Sequence, residues 1–407
     1  MSKTESASST PGVAPGAIGP FTVAALPRII FGDGSFDRLA DELATLGSRI
    51  LIVTGGRSFT ASPRWPQLQL RLQAAGLSWG LISIAGEPSP EQVDGAVRRY
   101  ANQGIDLVLG IGGGSALDAA KAIAGLLPGQ HSVMDYLEGV GPQLPYRGPG
   151  LPLVAVPTTA GTGSEMTRNA VLTHHGDGGF KKSFRDDQLL ARLALVDPQL
   201  LHSCPPRVLL ANAMDAFTQL LESYVSIRAS AFTDALAESG IRAFAAGFDA
   251  RAASPVQDYS QLAYAAMLSG ICLAQAGLGS VHGMASPLGA FFPIPHGVVC
   301  GTLLAPATAM NIRALRARAP ASPALEKYAR VAGWLGCGAD TTEEGCDTLV
   351  ARLNAWSEHC DLPRLSAFGM TDADLPRVIA GSGGNSMKTN PLVLTDDEMR
   401  EVLIERL

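Results

Sequence analysis

An α/β domain with a mostly parallel sheet, followed by an all-helical domain, is the architecture this 407-residue sequence predicts. Three observations predict it. Short β-branched runs alternate with longer helical stretches over residues 21–200. A glycine cluster sits between one of these strands and the helix after it. Beyond Pro198 the β-branched runs give way to Ala- and Leu-rich helical periodicity. The chain thus divides into a tail (1–20), an α/β domain (21–200) and a helical domain (201–407).

Residues 1–20 are rich in Ser, Pro, Gly and Ala, lack the unbroken apolar core of a signal peptide, and read as a disordered tail. Residues 49–54 (RILIVT) read as a buried strand ended by Gly55-Gly56. Helical periodicity follows over 65–75, and 81–84 form a second strand. Pro90 opens an amphipathic helix running to 103, which leads into a strand at 105–109. After the glycine cluster come a helix over 116–127 and strands at 153–156 and 193–196. Strand and helix in repeated alternation imply a parallel sheet covered on both faces. Pro205-Pro206 then punctuates the chain, and helices are expected over 208–225, 231–248, 259–275 and 324–335.

Composition excludes several classes. Hydrophobic residues make up 46% and charged residues 17%, enough apolar material for large cores. The net charge is −6 and the longest basic run is Lys181-Lys182, so no nucleic-acid partner is expected. Six cysteines at irregular spacings, with no Cys-x-x-Cys, read as buried thiols of a reducing compartment. Charges or prolines interrupt every apolar run before it reaches membrane-spanning length. A cytoplasmic protein with no membrane partner is the expectation.

The cluster Gly110-Ile111-Gly112-Gly113-Gly114-Ser115 follows a strand and precedes a helix. Glycines let backbone approach a pyrophosphate, and the free N–H groups of the following helix attract its charge. Alone, such a cluster is equally a tight turn; the strand–helix context favours phosphate binding. A second loop, 157–165, offers Thr158, Thr159 and Thr162 with two glycines after the strand ending at Val156. It reads as a polar loop with local Thr–backbone bonds or as a second wall of the same ligand site.

GGGSALDAAKAIA (112–124) and PTTAGTGSEMT (157–167) resemble the two cofactor-binding signatures of the iron-containing (group III) alcohol dehydrogenase family. The resemblance extends over nearly the whole chain after the tail. It implies a dehydroquinate synthase-like dinucleotide-binding domain with Gly112, Gly113, Gly114 and Ser115 at the pyrophosphate. By the same resemblance Asp118, Thr158, Thr159 and Thr162 lie near the phosphates or the nicotinamide ribose, and Lys181 contacts the cofactor, with Lys182 as the alternative. Both lysines read equally as solvated surface residues. Family members that prefer NAD commonly carry an acidic residue near the position of Gly55. A carboxylate there would repel a 2′-phosphate, so glycine, with Arg57 and Ser58 close by, favours NADP or use of both NADP and NAD. Gly55-Gly56 also reads as no more than the turn.

Asp215 and Gln219 are i,i+4 neighbours in a strongly helical stretch, so their side chains leave one face. His282 and His296 fall in a segment punctuated by glycine and proline. MDAFTQLLESY (214–224) and VHGMASPLGAFFPIPHG (281–297) resemble the family's metal-binding helix and histidine segment. The resemblance implies Asp215, His282 and His296 as ligands to Fe²⁺ or Zn²⁺. Two departures stand out: the family's usual fourth ligand, a histidine, is here Gln219, and a further histidine used for proton relay or substrate contact is here Ser286. An amide oxygen is a weak ligand for either ion. That leaves a three-ligand site with Gln219 as a poor fourth member, or a metal-free site in which His282 or His296 donates the proton.

The activity implied is hydride transfer between a nicotinamide cofactor and a small alcohol, aldehyde or ketone, with Ser286 and Gln219 hydrogen-bonding water or substrate. Three other readings stay open: a metal-independent reductase of the maleylacetate reductase type acting on an oxo-acid, a dehydroquinate synthase-like lyase, and a nucleotide-binding protein without catalysis. Met284, Leu288, Phe291 and Phe292 read as an apolar cleft wall or as core. Residues 383–391 read as a closing loop or an ordinary one. A homo-oligomer is expected by resemblance.

Overall fold

Strands in this chain follow the β-branched runs, and most are flanked by the helices the alternation calls for. The computed structural model describes residues 18–129, 131–175 and 178–407. The tail expected over 1–20 therefore falls, apart from its last residues, outside the described residues. The strands are β1 (Arg28–Phe31), β2 (Arg49–Thr54), β3 (Ser78–Ser83), β4 (Leu107–Gly112), β5 (Leu153–Pro157), β6 (Asn169–His174), β7 (Phe180–Arg185) and β8 (Leu193–Val196). Six of them form one fully parallel sheet in the order β1-β8-β5-β4-β2-β3, while β6 and β7 pair antiparallel as a separate hairpin.

The sheet is covered on both faces, which is why its strands are almost uniformly apolar. Leu51, Val53 and Val108 point into a core shared with helices α3 (Pro90–Tyr100) and α4 (Gly114–Leu126). Ile50, Ile52, Leu107 and Leu109 point to the opposite core beside α1 (Leu39–Ala44) and α2 (Arg64–Ala74). The alternation follows the two-residue period of a strand. Pro90 occupies the first turn of α3, where Ser89 and Gln92 make a reciprocal capping box.

Sequence periodicity placed most of these elements and missed others. β4 runs through Gly110 and Gly112 instead of stopping at 109, because Gly112 pairs with Pro157 in the parallel ladder. Glycine disfavours a strand locally, and here the neighbouring strand overrides that preference. β1 and the β6–β7 hairpin were not expected; both are short, and the hairpin carries Lys181, Lys182 and Arg185.

From Pro206 the chain is helical: α5 (Pro206–Val225), α6 (Ala231–Gly247), α7 (Tyr259–Ala276), α8 (Ser280–Phe291), α9 (His296–Arg318), α10 (Pro323–Trp334), α11 (Thr342–His359), α12 (Leu375–Gly381), α13 (Asn385–Thr389) and α14 (Asp396–Glu405). α8 and α9 escaped the periodicity reading for physical reasons. α8 contains Gly283, Pro287 and Gly289, and α9 is apolar on every side because it runs through the core. The apolar window of α9 is long enough to cross a membrane, but 83% of it is buried inside the protein. Met284, Leu288 and Phe292 belong to this core and not to a cleft wall, while Phe291 is partly exposed beneath Arg377.

α5 is the helix that matters most for the site. Every residue from Ala213 to Val225 is buried, including Asp215, Thr218, Gln219, Glu222 and Ser223. Polar side chains buried this deeply require partners. Gln219 finds its partner on α7 and Glu222 on α8, while Asp215 meets His282 and His296 on α8 and α9. Ser223 donates to Gly277 O, and Thr218 bonds back to Met214 O.

Candidate active site

The carboxyl ends of β2, β4 and β5 bring three loops together, the place where open parallel sheets bind ligands. The backbone N–H of Gly55 donates to Ile111 O (3.4 Å) and that of Thr158 to Gly112 O (2.9 Å). A Cβ on Gly114, the first residue of α4, would stand 2.6 Å from Thr162 Oγ1, so only glycine admits this close loop-on-helix packing. Gly113 abuts Thr159 and Gly112 abuts Gly55 in the same way. The seven residues Gly55, Gly112, Gly113, Gly114, Thr158, Thr159 and Thr162 thus form one contiguous floor around the N-terminus of α4.

A cavity of about 750 Å³ opens between this floor and the helical half. Gly114, Ser115, Asp118, Thr162 and Lys181 line it from one side; Gln219, His282, Ser286 and His296 line it from the other. Gly55, Gly112, Gly113, Thr158 and Thr159 are not among its lining residues. The hairpin register separates the two lysines: Lys181 faces the cleft and pairs with Glu87, whereas its neighbour Lys182 is exposed. Burial would raise the Glu87 carboxyl, but Lys181 and the Thr173 hydroxyl outweigh it and hold it low. Asn385, Ser386, Lys388 and Thr389 complete the rim, so the 383–391 segment does border the cleft. A second concavity of about 810 Å³, beside Arg64, His202 and Tyr259, contains none of these residues.

Asp118 is already engaged. Its Oδ1 accepts from Lys121 Nζ (3.1 Å) and from Ser164 Oγ, and its Oδ2 accepts from the Val171 N–H (3.1 Å). Lys121 is fully buried and also donates to Thr167 Oγ1 and Asn169 O, each at 2.8 Å. This network ties α4 to the second threonine loop and to β6. Nearby Glu165 is buried too, and burial pushes its pKa up to about 7 despite Lys121.

The helical wall places ligand-type atoms close together. Asp215 Oδ1 lies 3.2 Å from His282 Nε2 and 3.7 Å from His296 Nε2. His296 is the first residue of α9, where Pro295 ends the preceding loop. One helical turn along α9, Cys300 Sγ lies 3.6 Å from His282 Nε2 and 3.7 Å from His296 Nε2. Donor atoms of Asp215, His282, His296 and Cys300 all fall within 4.8 Å of one another.

Glu222 orients this cluster. Its Oε2 is 2.6 Å from His282 Nδ1, and its Oε1 accepts from the Val281 N–H (2.6 Å) in the first turn of α8. A carboxylate only accepts, so Nδ1 donates to Glu222 and, in the charged ring, Nε2 donates to Asp215; loss of that second proton would free the Nε2 lone pair for a cation. This is how a second carboxylate prepares a histidine ligand. Burial opposes charge on His282, yet the Cys300 sulfur, Glu222 and Asp215 keep its pKa well above the ordinary value. Burial drags His296 down to about 4, against the pull of Asp215. Burial also works against the Asp215 carboxylate, but the two imidazoles outweigh it and hold its pKa down to about 2. Asp215 Oδ2 and His296 Nδ1 are buried without a hydrogen-bond partner among the described residues. An orphaned carboxylate oxygen beside two imidazoles and a thiol fits a divalent cation, so these residues suit the metal the resemblance implies.

Gln219 sits one turn from Asp215 but accepts a hydrogen bond from Ser269 Oγ (2.8 Å). Ser286 is exposed to the cleft one turn after His282. Sequence reasoning missed Cys300, Glu222 and Lys121. Each had a spacing signal: Cys300 is i+4 from His296, Glu222 is i+7 from Asp215, and Lys121 is i+3 from Asp118.

Comparison with known proteins identifies the family and the fold. A model of the iron-containing alcohol dehydrogenases matches residues 27–198, and one of the Fe-containing alcohol dehydrogenase family's C-terminal part matches 209–407. The chain belongs to the iron-containing alcohol dehydrogenase family. It is an oxidoreductase of the alcohol–aldehyde class. Long-chain-alcohol dehydrogenase 1 of Geobacillus thermodenitrificans is 37% identical over 286 residues, 68% of this chain and 71% of that protein. Lactaldehyde reductase of Escherichia coli is 30% identical over 354 residues, 85% of this chain and 88% of that protein. A crystal structure of 1,3-propanediol oxidoreductase superposes with a TM-score of 0.85 at 26% identity, covering 96% of this chain and 100% of its own. These family members share the parallel sheet followed by helices described above.

Proposed function

We propose that the cleft interconverts a small alcohol with its aldehyde or ketone using NADP or NAD, with Fe²⁺ or Zn²⁺ held by Asp215, His282 and His296. One observation carries this reading: Gly114 and Thr162 of the glycine–threonine floor and His282 and His296 of the Asp215 cluster line one and the same cavity. When bound, the dinucleotide supplies the hydride and the cation supplies a Lewis acid for the substrate oxygen.

The protein's own groups do the rest. The N–H groups of the first turn of α4, at Gly114 and Ser115, bind the diphosphate, aided by the helix dipole. Lys181, held by Glu87, fixes the nicotinamide half from β7. Asp118 holds Ser164 and β6 in position, and so acts on the cofactor through the threonine loop. The Ser286 hydroxyl hydrogen-bonds the substrate oxygen and passes a proton between it and solvent, inward in reduction and outward in oxidation. Gln219 keeps an amide N–H pair for a substrate hydroxyl, its oxygen being occupied by Ser269. For the adenosine end, Gly55 leaves the end of β2 without a carboxylate, and the exposed Arg57 offers a partner for a 2′-phosphate.

A second reading has one observation in its favour. Arg228 and Lys388 reach the cleft with no ion-pair partner among the described residues, which favours a carboxylate-bearing substrate such as an oxo-acid. Six unpaired cysteines favour a cytoplasmic setting, and the family resemblance favours a homo-oligomer.

The test is elemental analysis of protein purified without chelator, paired with NADPH and NADH oxidation by a panel of aldehydes and oxo-acids before and after EDTA. About one metal per chain and EDTA-sensitive turnover are expected. Full activity in metal-free protein would sink the metal assignment. Turnover restricted to oxo-acids would favour the second reading.

A further inference from the structure

Gln219 stands where the family resemblance calls for a histidine, yet the cluster already has a fourth donor. We propose that Cys300 is the fourth protein ligand, completing an Asp-His-His-Cys site that selects Zn²⁺ over Fe²⁺. The inference rests on the metal reading above and extends it to a residue that the resemblance does not supply.

The distances carry the argument. With Zn–S near 2.3 Å and Zn–N near 2.05 Å, tetrahedral geometry puts sulfur and nitrogen about 3.6 Å apart. Cys300 Sγ lies 3.6 Å from His282 Nε2 and 3.7 Å from His296 Nε2. Oxygen and nitrogen ligands at about 2.05 Å would be about 3.3 Å apart. Asp215 Oδ1 stands 3.2 and 3.7 Å from the same two nitrogens. These four of the six edges match a tetrahedral site, and all four donor atoms lie within 4.8 Å of one another.

A thiol there is otherwise poorly placed. Its single proton serves at most one imidazole nitrogen, and S–H is a weak donor. Cys300 is fully buried, so water does not offset that shortfall. The i,i+4 spacing of His296 and Cys300 on α9 presents both toward α5 and α8, the arrangement that lets one helix supply two ligands.

Charge agrees with geometry. Asp215 and a Cys300 thiolate contribute two negative charges, and two neutral imidazoles contribute none, matching a divalent ion. Coordination replaces the Sγ–H proton and the Nε2–H proton of His282, and both leave to solvent. Thiolate is a soft ligand, and a tetrahedral N/S-rich set suits zinc better than Fe²⁺, which is served by harder, higher-coordinate sites. Zinc tolerates a fifth ligand during catalysis, so the substrate oxygen still has access.

The test uses the full-length protein stripped by chelation and reloaded with Co²⁺ as a spectroscopic substitute for zinc. The wild type should show visible d–d bands together with an intense near-ultraviolet thiolate-to-cobalt charge-transfer band. In Cys300→Ser the charge-transfer band should vanish while the d–d bands remain, and in Gln219→Ala both should persist. Zinc affinity in Cys300→Ser should fall at least about tenfold, the loss that even an outer partner of a ligand can cause. The wild-type spectrum carries the test if Cys300→Ser does not fold. Cobalt bound with d–d bands alone, or a charge-transfer band surviving in Cys300→Ser, would overturn the thiolate ligand and leave the metal reading standing. Failure of the wild type to bind cobalt or zinc at all would overturn both.

Discussion

Gly270→Ala tests the join between the two halves of the chain, because α7 meets the second threonine loop there backbone to backbone. Gly163 adopts φ 58°, in the left-handed region, and a Cβ at 270 would stand 2.2 Å from its carbonyl oxygen and 2.8 Å from its Cα. No side chain is involved, so nothing can rotate away, and the loop must retreat from α7 by about 1 Å. Overpacking of this kind costs about 1–3 kcal/mol, and the rigid contact points to the upper end. The better helix propensity of alanine returns about 1 kcal/mol. A net loss of about 2 kcal/mol lowers the melting temperature by about 4–8 °C for a domain of this size. The same loop carries Thr162, which packs against Gly114 at the N-terminus of α4, so dinucleotide affinity should fall about tenfold or more. Scanning calorimetry and NADPH fluorescence titration read the two effects. Gly333→Ala is the control: it lies in α10 with nothing within 4 Å of the new Cβ and should be neutral or slightly stabilising. A Gly270→Ala protein melting within about 1 °C of wild type with unchanged NADPH affinity would refute the reasoning.

Glu165 binds its proton more tightly when folded, since burial raises its pKa to about 7. Its contribution is therefore present at low pH and is lost as pH rises from the ordinary carboxylate range through 7, by up to about 3 kcal/mol. Glu165→Gln should gain stability relative to wild type between pH 5 and 8, and parallel melting curves across that range would rule this out. Lys121→Met leaves Asp118 and its neighbours without their buried cation and should cost about 3–5 kcal/mol, read as a lower denaturant midpoint. Glu222→Ala removes the acceptor for His282 Nδ1 and the Val281 N–H, and zinc affinity should fall about 10–100-fold in a competition titration. Glu222→Gln, which keeps one acceptor, should retain more of it; equal losses in the two variants would argue for charge alone.

Most of the sheet was legible because its strands are apolar on both faces and its helices are amphipathic, so each announces itself over a short window. β2, β5 and β8 appear at or within a residue of their expected limits. α8 and α9 did not announce themselves. A helix with two internal glycines and a proline, and one that is apolar all round, have no stripe for periodicity to detect. The candidate site shows the same division. The glycine and threonine loops were readable because a strand–loop–helix context is local. Cys300 was read only as one of six scattered thiols, and Glu222 and Lys121 were passed over as ordinary charged residues on helices.

What the sequence by itself determined is the order of the layers, the glycine turn before α4 and the helix face that Asp215 shares with Gln219. These follow from a fixed rise and twist per residue, which any window of four or five residues contains. Only the tertiary structure decided that α5, α8 and α9 bring Asp215, His282, His296 and Cys300 within 4.8 Å of one another, while Ser269 occupies the Gln219 oxygen. Those meetings depend on how three helices pack, and packing is set by side chains far apart in the chain, beyond the reach of any local rule.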